Sequence, residues 1–142
     1  MRILAIDPGS VRIGLAISDP SATIAQPLKV LRRRSLPEDL EALRRVCEEQ
    51  GVERIVVGLP RQMDGRLDSA AQDAQAFGAA LAEATGRPVS YWDERLTTVA
   101  AERHLLDQGI RREKRRADVD RIAATLLLQA FLDYEGRKDP GG

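Results

Sequence analysis

The alternation of apolar and polar positions predicts three strands at the start of the chain. Residues 2–6 form an apolar run that ends at the turn-forming sequence Asp7-Pro8-Gly9-Ser10. A second apolar run over residues 13–17 follows at once, so the two segments are expected to pair as a β-hairpin. Residues 22–30 form a third, weaker extended segment. The pattern therefore predicts a group of consecutive strands before the first helix.

The remainder of the chain alternates helices with strands. Ser35-Leu36-Pro37-Glu38 is a capping box with proline in the first turn, and it predicts a helix that ends before Gly51. Ser69 and Gln72 form a second capping box, which opens an alanine-rich helix to about residue 84. The other predicted elements are strands at 54–58 and 89–92, helices at 98–107 and 118–134, a polar loop at 60–68 and a basic loop around residue 109.

This order predicts a single α/β domain built on a mixed sheet. Strands that follow one another directly favour antiparallel pairing, whereas strands separated by helices favour parallel pairing through crossovers. The domain is expected to span residues 1–135 of the 142, and residues 136–142 are expected to form a disordered tail. Ligands of such sheets bind where strand ends meet at the switch in strand order. Functional residues are therefore expected at the strand ends.

Composition argues against a membrane protein and favours the cytosol. The chain is 43% hydrophobic, and its longest apolar stretch, residues 122–132, is too short to cross a bilayer. The N-terminus shows no secretion signal, and Cys47 is the only cysteine. Cys47 falls on the same helical face as Leu40 and Leu43. We therefore expect a cytoplasmic protein in which Cys47 packs in the core.

Positive charge is concentrated locally, although the formal net charge is +0. Arg32-Arg33-Arg34 forms one basic group, and Arg111-Arg112-Glu113-Lys114-Arg115-Arg116 forms another. Such runs are usually solvated surface. A contact with phosphate is expected only where they flank a functional site.

Carboxylates stand at the ends of the first and fifth predicted strands. Asp7 is followed by Pro8 and Gly9, so a turn aspartate that bonds its own backbone explains it as well as a catalytic acid does. Asp93 and Glu94 end the fifth strand, where an extended chain directs neighbouring side chains to opposite faces. Only one of these two is therefore expected to reach a site shared with Asp7.

The last predicted helix carries a carboxylate on its apolar face. Asp120 shares that face with Ala123, Ala124, Leu127 and Phe131. A carboxylate that faces a sheet is costly unless a cation or hydrogen-bond donors satisfy it. A position near the helix start offers a structural alternative, because the helix dipole stabilises negative charge there. Asp118 lies on the polar stripe instead and is expected to cap the helix.

The inward carboxylates predict a metal site. Asp7, Asp120 and one of Asp93 and Glu94 would repel one another if they met, and each would raise the pKa of the others. A hard divalent cation removes this repulsion, and oxygen-only ligands suit Mg²⁺ or Mn²⁺. Two such ions activate a water molecule and stabilise the leaving oxygen of a phosphodiester. The acids therefore favour a metal-dependent nuclease.

Four blocks of the sequence resemble the YqgF family, also called RuvX, of pre-ribosomal-RNA nucleases and Holliday junction resolvase-like proteins. They occur in family order and cover nearly the whole chain. The blocks are DPGSVRIGLAISD at residues 7–19, VGLP at 57–60 with MDG at 63–65, DERLTT at 93–98, and VDRIAA at 119–124 with LLQ at 127–129.

The resemblance implies a ribonuclease H-like α/β fold, related to the RuvC resolvases, with a five-stranded mixed sheet in the order 3-2-1-4-5. It implies that Asp7, Glu94 and Asp120 are catalytic and bind Mg²⁺ or Mn²⁺, with Asp93 and Asp118 as weaker candidates. RuvC-type resolvases carry a carboxylate on the fourth strand, whereas this strand ends in Gly58-Leu59-Pro60. The second acid is therefore expected from Asp93 or Glu94.

The resemblance also implies a nucleic-acid partner. The residues expected to contact it are Ser10 and Arg12 in the hairpin, Arg95 after the fifth strand, and Arg111, Arg112, Lys114, Arg115 and Arg116 before the last helix. The expected substrate is structured RNA, in processing of the 5′ end of pre-16S rRNA. Branched DNA is the alternative, and its two-fold symmetry would favour a homodimer.

Two other functions stay open at this point. ATP-dependent phosphotransferases share an Asp-x-Gly opening, but they need two lobes, and 142 residues hold only one. A binding module that kept the fold without activity is the second alternative. ATP binding would favour the former, and tight RNA binding without cleavage in Mn²⁺ would favour the latter.

Overall fold

A five-stranded sheet forms the centre of the protein. The computed structural model describes residues 1–9, 11–59, 69–94 and 113–138, and in the last of these ranges the side chains of residues 120–136. The strands lie in the spatial order β3-β2-β1-β4-β5, which confirms the predicted order. Their bounds are β1 (Arg2–Pro8), β2 (Arg12–Ser18), β3 (Ala25–Arg32), β4 (Val52–Leu59) and β5 (Val89–Asp93).

The sheet is mixed, as predicted. β1, β2 and β3 pair antiparallel, whereas β1 pairs parallel with β4 and β4 with β5. In the hairpin, Asp7 lies opposite Gly14. At the other end of β1 the amide of Ile3 donates to the buried hydroxyl oxygen of Ser18 at 2.8 Å. Because β1, β4 and β5 run parallel, their carboxyl ends lie at the same edge of the sheet.

Helices cover both faces of the sheet. α1 (Leu36–Gln50) and α2 (Ser69–Thr85) pack on one face, and α3 (Glu113–Lys138) packs on the other. Alternate strand residues line the two faces: Leu4, Ile6, Ile55 and Val57 under α1 and α2, and Ile3, Ala5, Ala16 and Val56 under α3. Because successive side chains of a strand alternate, Asp7 follows Ile3 and Ala5 onto the α3 face.

The ends of α1 follow the predicted signals. The hydroxyl oxygen of Ser35 accepts a hydrogen bond from the Glu38 amide at 3.3 Å and donates one to the Glu38 carboxylate at 3.0 Å. Gly51 ends the helix in the left-handed conformation, with φ of 65°. Cys47 is fully buried, as expected, and burial raises the pKa of its thiol. None of the helices in the described ranges is long and apolar enough to cross a membrane.

The last helix begins earlier and ends later than predicted. It starts at Glu113, so the predicted N-cap at Asp118 is wrong, and it continues to Lys138 through the first residues of the expected tail. Residues 113–117, Glu-Lys-Arg-Arg-Ala, have high helix propensity but no apolar periodicity, which explains the late predicted start. Asp120 therefore lies two turns inside the helix, where the dipole gives a carboxylate little support.

The polar stripe of α3 holds the connection between β2 and β3. The side-chain oxygen of Gln129 accepts from the Ala25 amide at 2.9 Å, and its nitrogen donates to the Thr23 carbonyl at 3.0 Å. These bonds fix α3 across the α3 face of the sheet. The predicted loop at 60–68, the predicted helix at 98–107 and the predicted basic loop around residue 109 lie outside the described residues.

Candidate active site

Asp7 provides the first acid of the candidate site. It stands near the end of the central strand β1 and is only 5% exposed. The turn that follows is closed by a hydrogen bond from the Gly9 amide to the Arg12 carbonyl at 2.9 Å. Asp7 faces α3 rather than solvent, so a simple turn aspartate does not describe its position.

Gly58 brings a second carboxylate next to Asp7. A methyl carbon added to Gly58 would lie 3.0 Å from Glu94 Oε1 and 3.7 Å from Asp7 Oδ1. The two oxygens are therefore separated by no more than the sum of these distances, although the residues lie far apart in sequence. The same methyl carbon would lie 2.5 Å from Leu127 Cδ1 on α3. Only a glycine leaves room here for two carboxylates and a helix.

Glu94, rather than Asp93, is the acid that reaches this place. Trp92 packs under α3 and pairs with Gly58 across β4 and β5, so the next side chain of the strand, Asp93, points away from α3. Glu94 follows the end of β5 and turns back onto the α3 side at Gly58. Burial raises the pKa of Glu94, and the neighbouring Asp93 carboxylate raises it further. A bound cation would act in the opposite direction.

The backbone of Asp120 packs against Gly14 of β2, which places this residue near the other two acids. A methyl carbon added to Gly14 would collide with the Asp120 carbonyl oxygen and would lie 3.4 Å from Asp120 Cβ. Gly14 is also the residue opposite Asp7 in the hairpin. The predicted apolar face of α3 is confirmed, because Ala123, Ala124, Leu127 and Phe131 are all buried against the sheet. Asp120, on the same face, is half-buried.

The donors present at this edge fit a hard cation, but the three-carboxylate cluster stays a prediction. In the described part of the chain, no group of three or more His, Cys, Asp or Glu side chains is arranged to hold a metal ion. The structure brings the carboxylates of Asp7 and Glu94 together at Gly58. The backbone of Asp120 lies next to Gly14, opposite Asp7. Carboxylate oxygens in a buried setting suit Mg²⁺ or Mn²⁺ better than softer metals.

Sequence reasoning missed the residue that holds the turn after Asp7. Nη1 of Arg33 donates to the Gly9 carbonyl at 2.8 Å, and the guanidinium lies 5.1 Å from the centre of the Phe77 ring. Nε of Arg33 lies 3.8 Å from the buried carboxylate of Asp39. One side chain thus ties the turn to both α1 and α2. The sequence signal was only a basic triplet, which does not distinguish a half-buried arginine with specific contacts from a solvated surface residue.

Two arginines, Arg12 and Arg32, lie on neighbouring strands on the same face of the sheet as Asp7. Arg12 and Arg32 are direct partners across β2 and β3, so their side chains leave the sheet on the same face. Strand alternation places Arg12 on the face of Gly14 and Ala16, which is the α3 face. Like charges in direct opposition destabilise a sheet slightly. Both guanidinium groups therefore start from the same face of the sheet as Asp7.

The other predicted nucleic-acid contacts are not placed by the structure. Ser10, Arg95, Arg111 and Arg112 lie outside the described residues. Residues 114–116 belong to the first turns of α3, so this basic segment is helical rather than a loop. The side chains of residues 114–116 and of Asp118 also lie outside the described part, and their roles stay predictions.

Comparison with known proteins supports one family over nearly the whole chain. The family described as "RuvX: Holliday junction resolvase" matches residues 1–134. A relative from Moorella thermoacetica is 47% identical over 137 residues, which cover 96% of this chain and 98% of the relative. A relative from Symbiobacterium thermophilum is 45% identical over 140 residues, which cover 99% and 97%. Both carry the provisional name of pre-16S rRNA nuclease.

Solved structures share the fold at low sequence identity. RuvC of T. thermophilus, in complex with a Holliday junction substrate, superposes with a TM-score of 0.61 at 17% identity over 96% of each chain. The Holliday junction resolvase of fowlpox virus gives 0.51 at 14% identity over 97% and 99%. These likenesses establish the ribonuclease H-like fold. The family match over residues 1–134 and the relatives above 40% identity show that the chain belongs to the RuvX family.

Proposed function

We propose that this protein is a divalent-metal-dependent nuclease that hydrolyses phosphodiester bonds of structured nucleic acid. The observation that carries the proposal is the approach of Asp7 Oδ1 and Glu94 Oε1 to Gly58, at the edge where the parallel strands end. Two acids at strand ends that are distant in sequence, with a third on the helix that packs against the sheet, resemble the donor set of a two-metal phosphodiesterase.

Each residue of the site has a definable part in this chemistry. Asp7, Glu94 and Asp120 would hold Mg²⁺ or Mn²⁺, which when bound supplies activation of water and stabilisation of the leaving oxygen. Burial of Asp7 keeps bulk water from its carboxylate, and Arg33 fixes the turn that follows it. Arg12 offers a guanidinium on the same face, where it would offset the repulsion between phosphate and the acids.

Structured RNA is the substrate that we propose, in processing of the 5′ end of pre-16S rRNA. The support is the name carried by relatives that are 42–47% identical to this chain over most of its length. Branched DNA is the second candidate, favoured by the description of the family and by the DNA complex of the RuvC structure with this fold. Resolution of a symmetric junction would require two copies of the site and therefore a homodimer.

The experiment is a cleavage panel in Mg²⁺ and in Mn²⁺. Its substrates are single-stranded RNA, a pre-16S rRNA fragment, duplex DNA and a four-way junction, and its variants are Asp7→Asn and Asp120→Asn. Both variants should lose cleavage while they keep the fold and most binding, because the change removes a ligand without altering volume. The matched control is Asp133→Asn, an exposed acid on α3 whose carboxylate accepts a hydrogen bond from Gln129 at 3.0 Å.

The outcomes separate the candidates. Preferred cleavage of the RNA fragment supports the proposed substrate, and preferred cleavage of the junction supports the alternative. Turnover close to that of the wild-type protein by Asp7→Asn, in either metal, would remove the mechanism. RNA binding without cleavage by any form would identify a binding module instead.

A further inference from the structure

A second concave site lies beside the candidate active site, between the edge strand β5 and the C-terminal half of α3. Its volume is about 410 Å³, within the ~300–1,000 Å³ typical of small-molecule pockets. Four aromatic residues line it, Tyr91, Trp92, Phe131 and Tyr134, together with Arg54 and Asp93. The functions considered so far make no use of this pocket.

The aromatic rings of the pocket do not stack face to face on one another, so their faces are not covered by a parallel ring. Trp92 meets Phe131 at a centroid distance of 5.9 Å and an angle of 69°, and meets Tyr134 at 5.4 Å and 62°. Both contacts are edge-on rather than parallel. Tyr134 is 45% exposed, so its ring is accessible from solvent. A flat partner can therefore lie against this cluster, as bases do against exposed aromatic side chains in nucleic-acid-binding proteins.

Trp92 contributes a second sign of a missing ligand. The side chain is more than nine-tenths buried, and its indole Nε1 has no hydrogen-bond acceptor among the residues that the structure describes. A buried donor without an acceptor is rare in native proteins and calls for an explanation such as an absent ligand. Because Nε1 is closed to solvent in this structure, a carbonyl oxygen or ring nitrogen of a base would reach it only after the indole ring moves.

The charges around the pocket favour a base over a phosphate. Arg54 lies 4.9 Å from the centre of the Phe131 ring and is already bonded to Ser90 Oγ at 2.9 Å and to Glu135 Oε1 at 3.2 Å. Glu135 and Asp93 line the pocket, so negative charge lies at its edge. A phosphate would be repelled by these acids, whereas a neutral planar base can both donate to them and stack on the rings.

The pocket begins next to the carboxylates. Asp93 directly precedes Glu94, and Leu59, which also lines the pocket, directly follows Gly58. We propose that this pocket binds an unstacked nucleobase from a nucleotide close to the phosphodiester held at Asp7 and Glu94. The inference rests on the proposed nuclease function and extends it, because it assigns a base-binding subsite and requires a locally single-stranded substrate.

Trp92 makes the test direct, because it is the only tryptophan of the chain. The full-length protein is titrated in metal-free, low-salt buffer with a labelled single-stranded RNA oligonucleotide, and with a matched strand that carries abasic positions. Anisotropy of the label reports binding, and Trp92 emission reports the pocket. The base-bearing strand should change Trp92 emission and should bind about tenfold more tightly than the abasic strand, as expected for the loss of one stacked base.

Variants separate a base contact from a structural effect. Tyr134→Ala should weaken binding of the base-bearing strand about tenfold and leave binding of the abasic strand unchanged, whereas Tyr134→Phe should keep the affinity because it keeps the ring. Leu36→Ala, an exposed apolar residue of α1, is the control and should change nothing. Equal emission and affinity for both strands, or no binding of either, overturns the inference.

The test also distinguishes this inference from the proposed function. A base-dependent response of Trp92 without cleavage in Mn²⁺ would retain the base pocket and remove the nuclease. Cleavage that does not depend on Tyr134 or on the base would retain the nuclease and remove the pocket.

Discussion

Gly14→Ala tests whether the contact between α3 and β2 positions the third acid. The added methyl carbon would lie 2.8 Å from the Asp120 carbonyl carbon and closer still to its oxygen. Ordinary contacts between non-bonded atoms need about 3.5–4.0 Å. The obstacle is main chain and cannot rotate away, so α3 must move back from β2 by roughly 1 Å.

This displacement has a calculable effect on stability and on activity. Overpacking of this kind costs about 1–3 kcal/mol of the free energy of unfolding. At roughly 4 °C per kcal/mol for a chain of this size, the Tm should fall by about 4–12 °C. Movement of Asp120 by about 1 Å should lower cleavage about 100-fold, because catalytic groups tolerate little misplacement.

Thermal unfolding by circular dichroism and cleavage in Mn²⁺ would measure the two effects. Gly136→Ala is the matched control. Gly136 lies on the same helix, and a methyl group added there would have no described atom within 4 Å. That change should keep activity and raise stability by up to about 1 kcal/mol, because alanine is the better helix former. A Gly14→Ala protein with the Tm of the wild type would refute the close approach, and normal cleavage despite a lowered Tm would refute the role of Asp120.

Three further changes test other parts of the site. Glu94→Gln should reduce cleavage far more than Asp93→Asn, since only Glu94 approaches Gly58; the reverse ranking in initial rates would mean that the strand end is assigned to the wrong acid. Arg33→Ala should lower the free energy of unfolding by about 2 kcal/mol in urea titrations, because it leaves the buried Asp39 without its ion pair; an unchanged midpoint would show that the clamp contributes nothing. Arg12→Ala should make the log–log salt dependence of RNA binding shallower by about 0.7–0.9, as expected for one lost phosphate contact, and an unchanged slope would exclude that contact.

The fold could be predicted from sequence wherever the local pattern and the tertiary structure agree. The hairpin, the β-branched fourth strand and the capping box of α1 each carry a strong local signal, and all are present. The start of α3 could not be predicted, because its first turns carry charge without apolar periodicity. Propensity alone supported a helix there, but a basic run is equally typical of a loop.

The acids of the candidate site stand out in the sequence, but their surroundings do not. Asp7 and Asp120 are visible because a carboxylate interrupts an apolar pattern. The roles of Gly14 and Gly58 depend on what approaches them from α3 and from the end of β5, which no local pattern encodes. The role of Arg33 depends on contacts with Gly9 and with Phe77, which are 24 and 44 residues away along the chain.

The central position of β1 has a consequence for synthesis on the ribosome. β1 emerges first but acquires its parallel neighbour only after Leu59 has been made, and its α3 face stays uncovered until the last helix appears. At about 5–20 residues per second, roughly ten seconds separate the synthesis of Asp7 from that of Asp120. During that interval the nascent chain exposes the apolar face formed by Ile3, Ala5 and Val56, which makes it a target for chaperones. The same delay keeps Asp7 and Asp120 apart until the last helix has been made.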